Sequence, residues 1–255
     1  MKENISKIKI FLLLTFFLTS FLSLRAEEIK FNIGVGGYPP YMIVQKDKPP
    51  KGIMVEVLQV IASKYGHTLK IYKVPRKRVD VMMYSGKLDA TPRAKEWNSR
   101  PDDFIFTNPI INFKDVLFSS STNPLKFEKI SDLYGKNLST HLGYKYPILK
   151  KHFQNKKINR YDYNSEESMM EKVLFSKGRF NAAVLNEMVG LWIIKNRNWE
   201  DKFIVSKKHL ASVGYRIMFD KRWKDFVKQF NRELETMKQN KQLDSIINKY
   251  IHTSK

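Results

Sequence analysis

The chain has 255 residues, 46 Lys and Arg against 25 Asp and Glu, and no cysteine. The missing thiols exclude a disulfide scaffold, a Cys-ligated metal site, a thiol nucleophile and a lipid-modified N-terminal Cys. With 42% hydrophobic and 13% aromatic residues, the chain can bury a real core, which excludes global disorder, and its length suits one large domain or two small ones.

Lys2, Lys7 and Lys9 precede an uncharged apolar run, Ile10 to Leu24, and Leu24-Arg25-Ala26 leads into Glu27-Glu28. A basic start, a short apolar stretch and a small final residue predict a secretory signal peptide over residues 1–26, removed in the mature protein. The fifteen uncharged residues fall short of the roughly 20 that a spanning helix needs. The expected location is periplasmic. The formal charge of +21 raises nucleic-acid binding as a possibility. The lysines, however, are spread among acids with no Arg-rich tract, so the charge reads as a lysine-rich surface and no nucleic-acid partner is expected.

Ile29 to Val35 alternates apolar and polar residues and predicts a strand. Gly36-Gly37-Tyr38-Pro39-Pro40-Tyr41 predicts an irregular loop at its end. From Gly52 to Tyr65, Met54, Val57, Leu58, Ile61, Ala62 and Tyr65 share one helical face, which Gly66 terminates. A strand over Thr68–Val74 follows, then a helix opened by Pro75 and ending near Gly86, then a short strand at Leu88–Thr91. Such βαβαβ alternation predicts a mainly parallel sheet flanked by helices. The pattern recurs. Leu138–Leu142 is strand-like, a helix covers Tyr146 to Phe153, and Asn159–Tyr163 is a short strand. Ser165 caps a helix that carries Met169 and Val173 and ends at Gly178. Phe180–Leu185 is an apolar strand, a helix carries Trp192, Val213–Phe219 is a strand, and Trp223–Ile251 is one long helical region.

Several segments in this order carry a family resemblance from about Ile29 to Tyr250. They are Tyr38-Pro39-Pro40-Tyr41, Lys51-Gly52 with its helix, Gly86-Lys87-Leu88-Asp89-Ala90, Arg100 six residues before Phe106-Thr107, Asp132-Leu133-Tyr134-Gly135-Lys136, and Gly178-Arg179-Phe180-Asn181-Ala182. Together they resemble the periplasmic solute-binding proteins of the amino-acid-binding type, bacterial extracellular solute-binding proteins of family 3. The resemblance implies an α/β, two-lobed type II periplasmic-binding-protein fold that closes on a small ligand. Lobe 1 would span residues 27–118 and 213–255, and lobe 2 residues 119–212. The crossings would lie near 116–121 and 211–215. The expected function is capture of a small carboxylate-bearing ligand, an amino acid or related compound, for delivery to a membrane permease of an ABC transporter. The protein would act as a monomer without a cofactor.

The ligand-binding residues follow from the same resemblance and from side-chain chemistry. Arg100 is expected to clamp a carboxylate through two parallel hydrogen bonds. Tyr38 and Tyr41 offer ring faces, and the amides of Gly143 and Tyr144 offer donors for an anion. Thr91, Arg93 and Trp97 lie between Asp89 and Arg100, where the family places backbone and hydroxyl contacts, with a spacing here one residue shorter. In the family an Asp eight residues after the second motif's glycine holds the ligand's ammonium. Here that position is Asn186, which is neutral, with Glu187 beside it. Either Glu187 takes the role or the ligand lacks a standard α-amino group, and an arginine-rich, acid-poor cleft would favour an anionic ligand. An enzyme on the same scaffold, resembling the dehydratase relatives, would need a positioned acid or base, for which His141 with Glu187 is the pair to propose. A ligand-sensing partner of a membrane receptor is the third reading. No catalytic residue is assigned, and the five histidines show no paired metal-ligand spacing.

Overall fold

Strand β1 (Glu28–Asn32) forms because Ile29 and Phe31 are fully buried on one face while Glu28 stays exposed. The computed structural model describes residues 27–252, and the expected signal peptide, residues 1–26, lies outside them. The Tyr-Pro-Pro-Tyr segment, expected as an irregular loop, carries a small antiparallel hairpin of β2 (Gly37–Tyr38) and β3 (Met42–Ile43). Helix α1 (Ile53–Lys64) buries the expected face, from Met54 through Ala62. Gly52 precedes it at φ 123°, and a Cβ there would meet the Tyr41 carbonyl oxygen at 2.6 Å, so only glycine fits this close approach. β4 (Thr68–Tyr72) pairs parallel to β1, and α2 (Arg76–Tyr84) returns the chain to β5 (Ala90–Ala94). β5 runs further than the expected Leu88–Thr91 because it is a central strand buried at every residue, where no alternation marks its end.

β6 (Ile105–Phe106) precedes the long β7 (Ile111–Ser120). The next stretch alternates as the pattern implied: β8 (Asn137–His141), α3 (Pro147–Gln154), β9 (Asn159–Tyr163), α4 (Glu166–Phe175), β10 (Ala182–Asn186) and α5 (Glu187–Arg197). β11 (Phe203–Val205) then leads to β12 (Ala211–Phe219). The C-terminal helical region, as expected over Trp223–Ile251, consists of two helices, α6 (Lys224–Gln239) and α7 (Gln242–Ile251). The break falls at Lys241, which adopts φ 64° and turns the chain so that Tyr250 donates to Glu56 and accepts from the Gly52 amide. No helix among the described residues is long and apolar enough to cross a membrane.

The sheet order is β4-β1-β5-β12-β7-β10-β8-β9, with β6 on β12 and β11 on β7. Two strands are shared between its halves. β12 pairs with β5 through Tyr215–Phe219 and with β7 through Ala211–Tyr215. β7 pairs with β12 through Ile111–Asp115 and with β10 through Asp115–Phe118. These two antiparallel strands carry the chain from one half to the other and back. They branch at Asp115, which faces Ala211 on one side and Asn186 on the other.

Behind the branch, α5 packs on β7 so closely that a Cβ on Gly190 would lie 2.1 Å from the nearest Phe118 ring carbon. Phe118 is fully buried and cannot swing into solvent. Gly190→Ala is therefore expected to cost about 1–3 kcal/mol of overpacking strain, read as a lower midpoint in urea unfolding. An unchanged midpoint would mean that the ring and helix separate freely.

Candidate functional site

A cavity of about 560 Å³ opens between the two halves, in front of the shared strands. Its first wall is aromatic. Tyr38 from β2, Phe113 from β7, Tyr215 from β12 and Trp97 from the short turn after β5 all line it. Tyr38 stacks on Phe113 at 6.2 Å, Trp97 meets Phe113 edge-on at 5.1 Å, and Phe113 meets Tyr215 at 5.4 Å. Tyr41 lies behind them, fully buried, stacked on Tyr38 and Phe113 and edge-on to Tyr215 at 5.0 Å. Alternation along β7 explains the placement: Phe113 and Asp115 are two residues apart and so share the face toward the cavity.

The opposite wall belongs to the second half. His141 ends β8, Gly143, Tyr144, Lys145 and Tyr146 form the following turn, and Glu166 opens α4. The His141 and Tyr144 rings stack at 4.0 Å, the Tyr144 hydroxyl lies 3.5 Å from Glu166 Oε1, and His141 Nε2 lies 4.0 Å from Glu166 Oε2. Burial, with Glu166 beside it, pushes the Tyr144 hydroxyl up to about 12. The Tyr38 hydroxyl is raised too, first by burial and then by Tyr144 and Glu166. The carboxylate beside His141 is thus Glu166. The expected partner, Glu187, lies 3.8 Å from Lys114 Nζ and is not part of the lining.

Besides Glu166, charge enters at three places. Asp115 sits at the floor, where the strands branch, and burial alone pushes its carboxyl up to about 6. Among the described residues, no hydrogen-bond donor and no cation pairs with that carboxylate. Arg76, the first residue of α2, lines the cavity, and its pKa is lowered first by burial and then by Arg93. Lys145 lines the second wall. The cleft therefore contains two carboxylates, Asp115 and Glu166, against these cations. This differs from the acid-poor cleft expected from the sequence.

The ten expected ligand-binding residues fall into three groups. Tyr38, Trp97, Gly143, Tyr144 and Asn186 line the cavity together. Tyr41, Thr91 and Arg93 stand behind its surface. Thr91 is buried against Asn32, and Arg93 is 1% exposed, paired to Asp80, with its Nε unpartnered. Arg100 and Glu187 lie outside the lining. Arg100 is held at the protein surface because Asp103 takes its Nε at 2.8 Å and the Tyr84 ring underlies its guanidinium. The guanidinium that lines the cavity is that of Arg76.

Asn186 ends β10 and caps α5. Its Oδ1 accepts from the amides of Met188 and Val189 and from the Tyr41 hydroxyl at 2.8 Å, while its Nδ2 donates to the Lys114 carbonyl. Satisfying free helix amides is what an Asn at this position does best. Residue-by-residue reasoning missed Arg76, Phe113, Asp115, Tyr146, Glu166 and Tyr215 as lining residues. The available signal was on β7, where Asp115 stands two residues after Phe113 and therefore on the same face of the strand. Among the described residues, no group of three His, Asp or Glu stands close enough to hold a metal ion.

Two halves of mainly parallel sheet, two shared strands and a cavity between them are the features of the type II periplasmic binding fold, and solved structures share it. The chain is similar to substrate-binding domain 2 of GlnP from Lactococcus lactis in its open conformation, at 22% identity and a TM-score of 0.73, over 91% of this chain and 98% of that one. It is similar to the L-cystine solute receptor of Neisseria gonorrhoeae in its unliganded open conformation, at 16% identity and a TM-score of 0.72, over 89% and 93%. It is also similar to the putative binding component of an ABC transporter from Wolinella succinogenes complexed with lysine, at 16% identity and a TM-score of 0.69, over 89% and 97%. No curated protein matches the chain. The profile of one family matches residues 31–253, nearly all of the described chain. The chain belongs to the bacterial extracellular solute-binding proteins, family 3.

Proposed function

We propose that the protein is exported, captures a small zwitterion, an amino acid or close relative, between its two halves, and delivers it to a membrane permease. The observation that carries this reading is a cavity between the halves that has aromatic rings on both walls, a guanidinium at Arg76 and a carboxylate at Asp115. Ring faces bury the apolar part of a ligand, Arg76 matches a carboxylate bidentately, and closure about β7 and β12 would exclude water and strengthen both contacts. The basic, apolar N-terminus supports export. The similar proteins described as an L-cystine receptor and a lysine complex support an amino-acid ligand.

The test is a thermal-shift screen on the mature protein, unfolded and refolded to strip carried ligand. The panel holds the twenty amino acids. A binder at 100 times its Kd is expected to add about 2.7 kcal/mol, or about 5–10 °C for a chain of this size. The shift is expected to vanish in Arg76→Ala and to persist in Arg100→Ala. The reverse pattern would return the carboxylate clamp to Arg100, and silence across the panel would sink the amino-acid reading.

Turnover of the bound compound is a second reading, favoured by one observation: Asp115, half-buried at the cavity floor, is a carboxyl raised to about 6 and so suited to proton transfer near neutral pH. Mass spectrometry of ligand recovered after incubation decides it, since unchanged ligand sets an enzyme aside.

A further inference from the structure

The cavity has an anionic floor that no ion pair among the described residues neutralises. Asp115 lies where β7 leaves β12 for β10, half-buried, and no donor or cation among the described residues meets its carboxylate. A partly desolvated carboxylate without a partner is unfavourable, and proteins keep such groups mainly where something else supplies the countercharge. Three other residues could attract a ligand's ammonium, and each already faces a partner: Glu166, the other carboxylate of the lining, lies 3.5 Å from the Tyr144 hydroxyl and 4.0 Å from His141 Nε2. Asn186 is neutral, its Oδ1 accepts three hydrogen bonds, and its Nδ2 is bonded to the hinge carbonyl of Lys114. Glu187 turns toward Lys114, outside the cavity. The aromatic rings of Phe113, Tyr38 and Tyr144 line the same cavity as Asp115 and are of the type that attracts a cation.

We infer that Asp115 is the specificity-determining acceptor for a protonated amine on the ligand, with the Phe113, Tyr38 and Tyr144 rings as its walls. This inference rests on the capture reading and deepens it. The amine-binding role sits on the shared strand, so the ligand's positive charge neutralises the branch point about which the halves would close. Arg76, on the other side of the cavity, then takes the ligand's carboxylate where it has one. The ligand class is amino acids and amines, and amine-free carboxylates are excluded because they would bring a second anion to an unneutralised floor.

The experiment is calorimetric titration of the refolded mature protein with matched sets: the twenty amino acids, the same carboxylates lacking the amine, and the corresponding amines lacking the carboxylate. Binding confined to amine-bearing compounds, weakened about 30-fold or more in Asp115→Asn and unchanged in Glu187→Gln, is the expected result. Urea unfolding of each variant shows that it is folded. Binding of amine-free carboxylates, or an amine-bearing ligand held equally well by Asp115→Asn, would overturn the inference and leave the capture reading standing. Loss on Glu187→Gln instead would move the amine site to Glu187. If no compound in any set binds, the capture reading fails and the inference falls with it.

Discussion

Asp115→Asn is expected to make the unliganded protein more stable at pH 7, by about 2–3 kcal/mol. Burial raises this carboxyl from the usual 3.8 to about 6, so between those values the folded chain binds a proton that the unfolded chain has released. Stability contributed by the protonated group is complete below pH 4 and is lost as pH rises through about 6. Holding the carboxyl at about 6 instead of 3.8 costs about 3 kcal/mol at neutral pH, and an isosteric amide removes that cost without opening a cavity. The wild type is therefore expected to lose stability between pH 4.5 and 7 relative to Asp115→Asn, and urea unfolding at the two pH values measures the difference. Equal pH dependence in the two proteins would mean that water or a conformational adjustment already solvates the carboxylate. A gain in stability coupled to a loss of amine binding would identify Asp115 as a group retained for the ligand at the expense of the fold, the trade-off expected at a functional site.

The scaffold was far more legible than the site. Helix α1 could be read because its apolar face repeats at helical spacing over three turns, and Met54, Val57, Leu58, Ile61 and Ala62 of that face are all buried. β5 could not be bounded, because a central strand is buried on both faces and Arg93 in its middle looks exposed in sequence although it is 1% exposed in the fold. The C-terminal helices carry apolar residues up to Met237 and again from Leu243, and the polar stretch between them holds the left-handed Lys241 that separates the two; a lysine gives no warning of that conformation.

The site was legible where one residue type sits at one recognisable turn, as at Tyr38 and Gly143-Tyr144. It was not legible where lining residues come together from distant strands. Phe113, Asp115 and Tyr215 reach the cavity only through the register of β7 against β12, which is a tertiary fact. Arg100 and Arg76 illustrate the same limit. Both are arginines near motif segments, and only the fold shows that Asp103 holds one at the surface while the start of α2 aims the other inward.

The aspartate in Gly86-Lys87-Leu88-Asp89-Ala90 gives the opposite lesson, and Asp89→Ala tests it. Asp89 is fully buried at the entrance to β5. One carboxylate oxygen pairs with the Arg222 guanidinium from the turn before α6, and the other accepts the Lys30 amide of β1 at 2.8 Å. Its own backbone bonds to Lys30 on one side and Asp220 on the other. One side chain thus ties the first strand, the central strand and the C-terminal helices together, far from the cavity. Truncation leaves the Lys30 amide without its acceptor, at about 1–3 kcal/mol. It also strands Arg222, which is half-exposed and can turn to water, so the cost stays below that of breaking a fully enclosed ion pair. The sum is expected to be about 2–4 kcal/mol, seen as a lower urea midpoint. Asp89→Asn, which keeps an oxygen for the Lys30 amide and gives up the charge, is expected to cost about half as much. Ligand affinity at temperatures where both variants are folded is expected to be unchanged. A weaker ligand with an unchanged midpoint would place Asp89 in binding after all, whereas a lower midpoint with normal affinity makes this motif a brace for the sheet that presents the site.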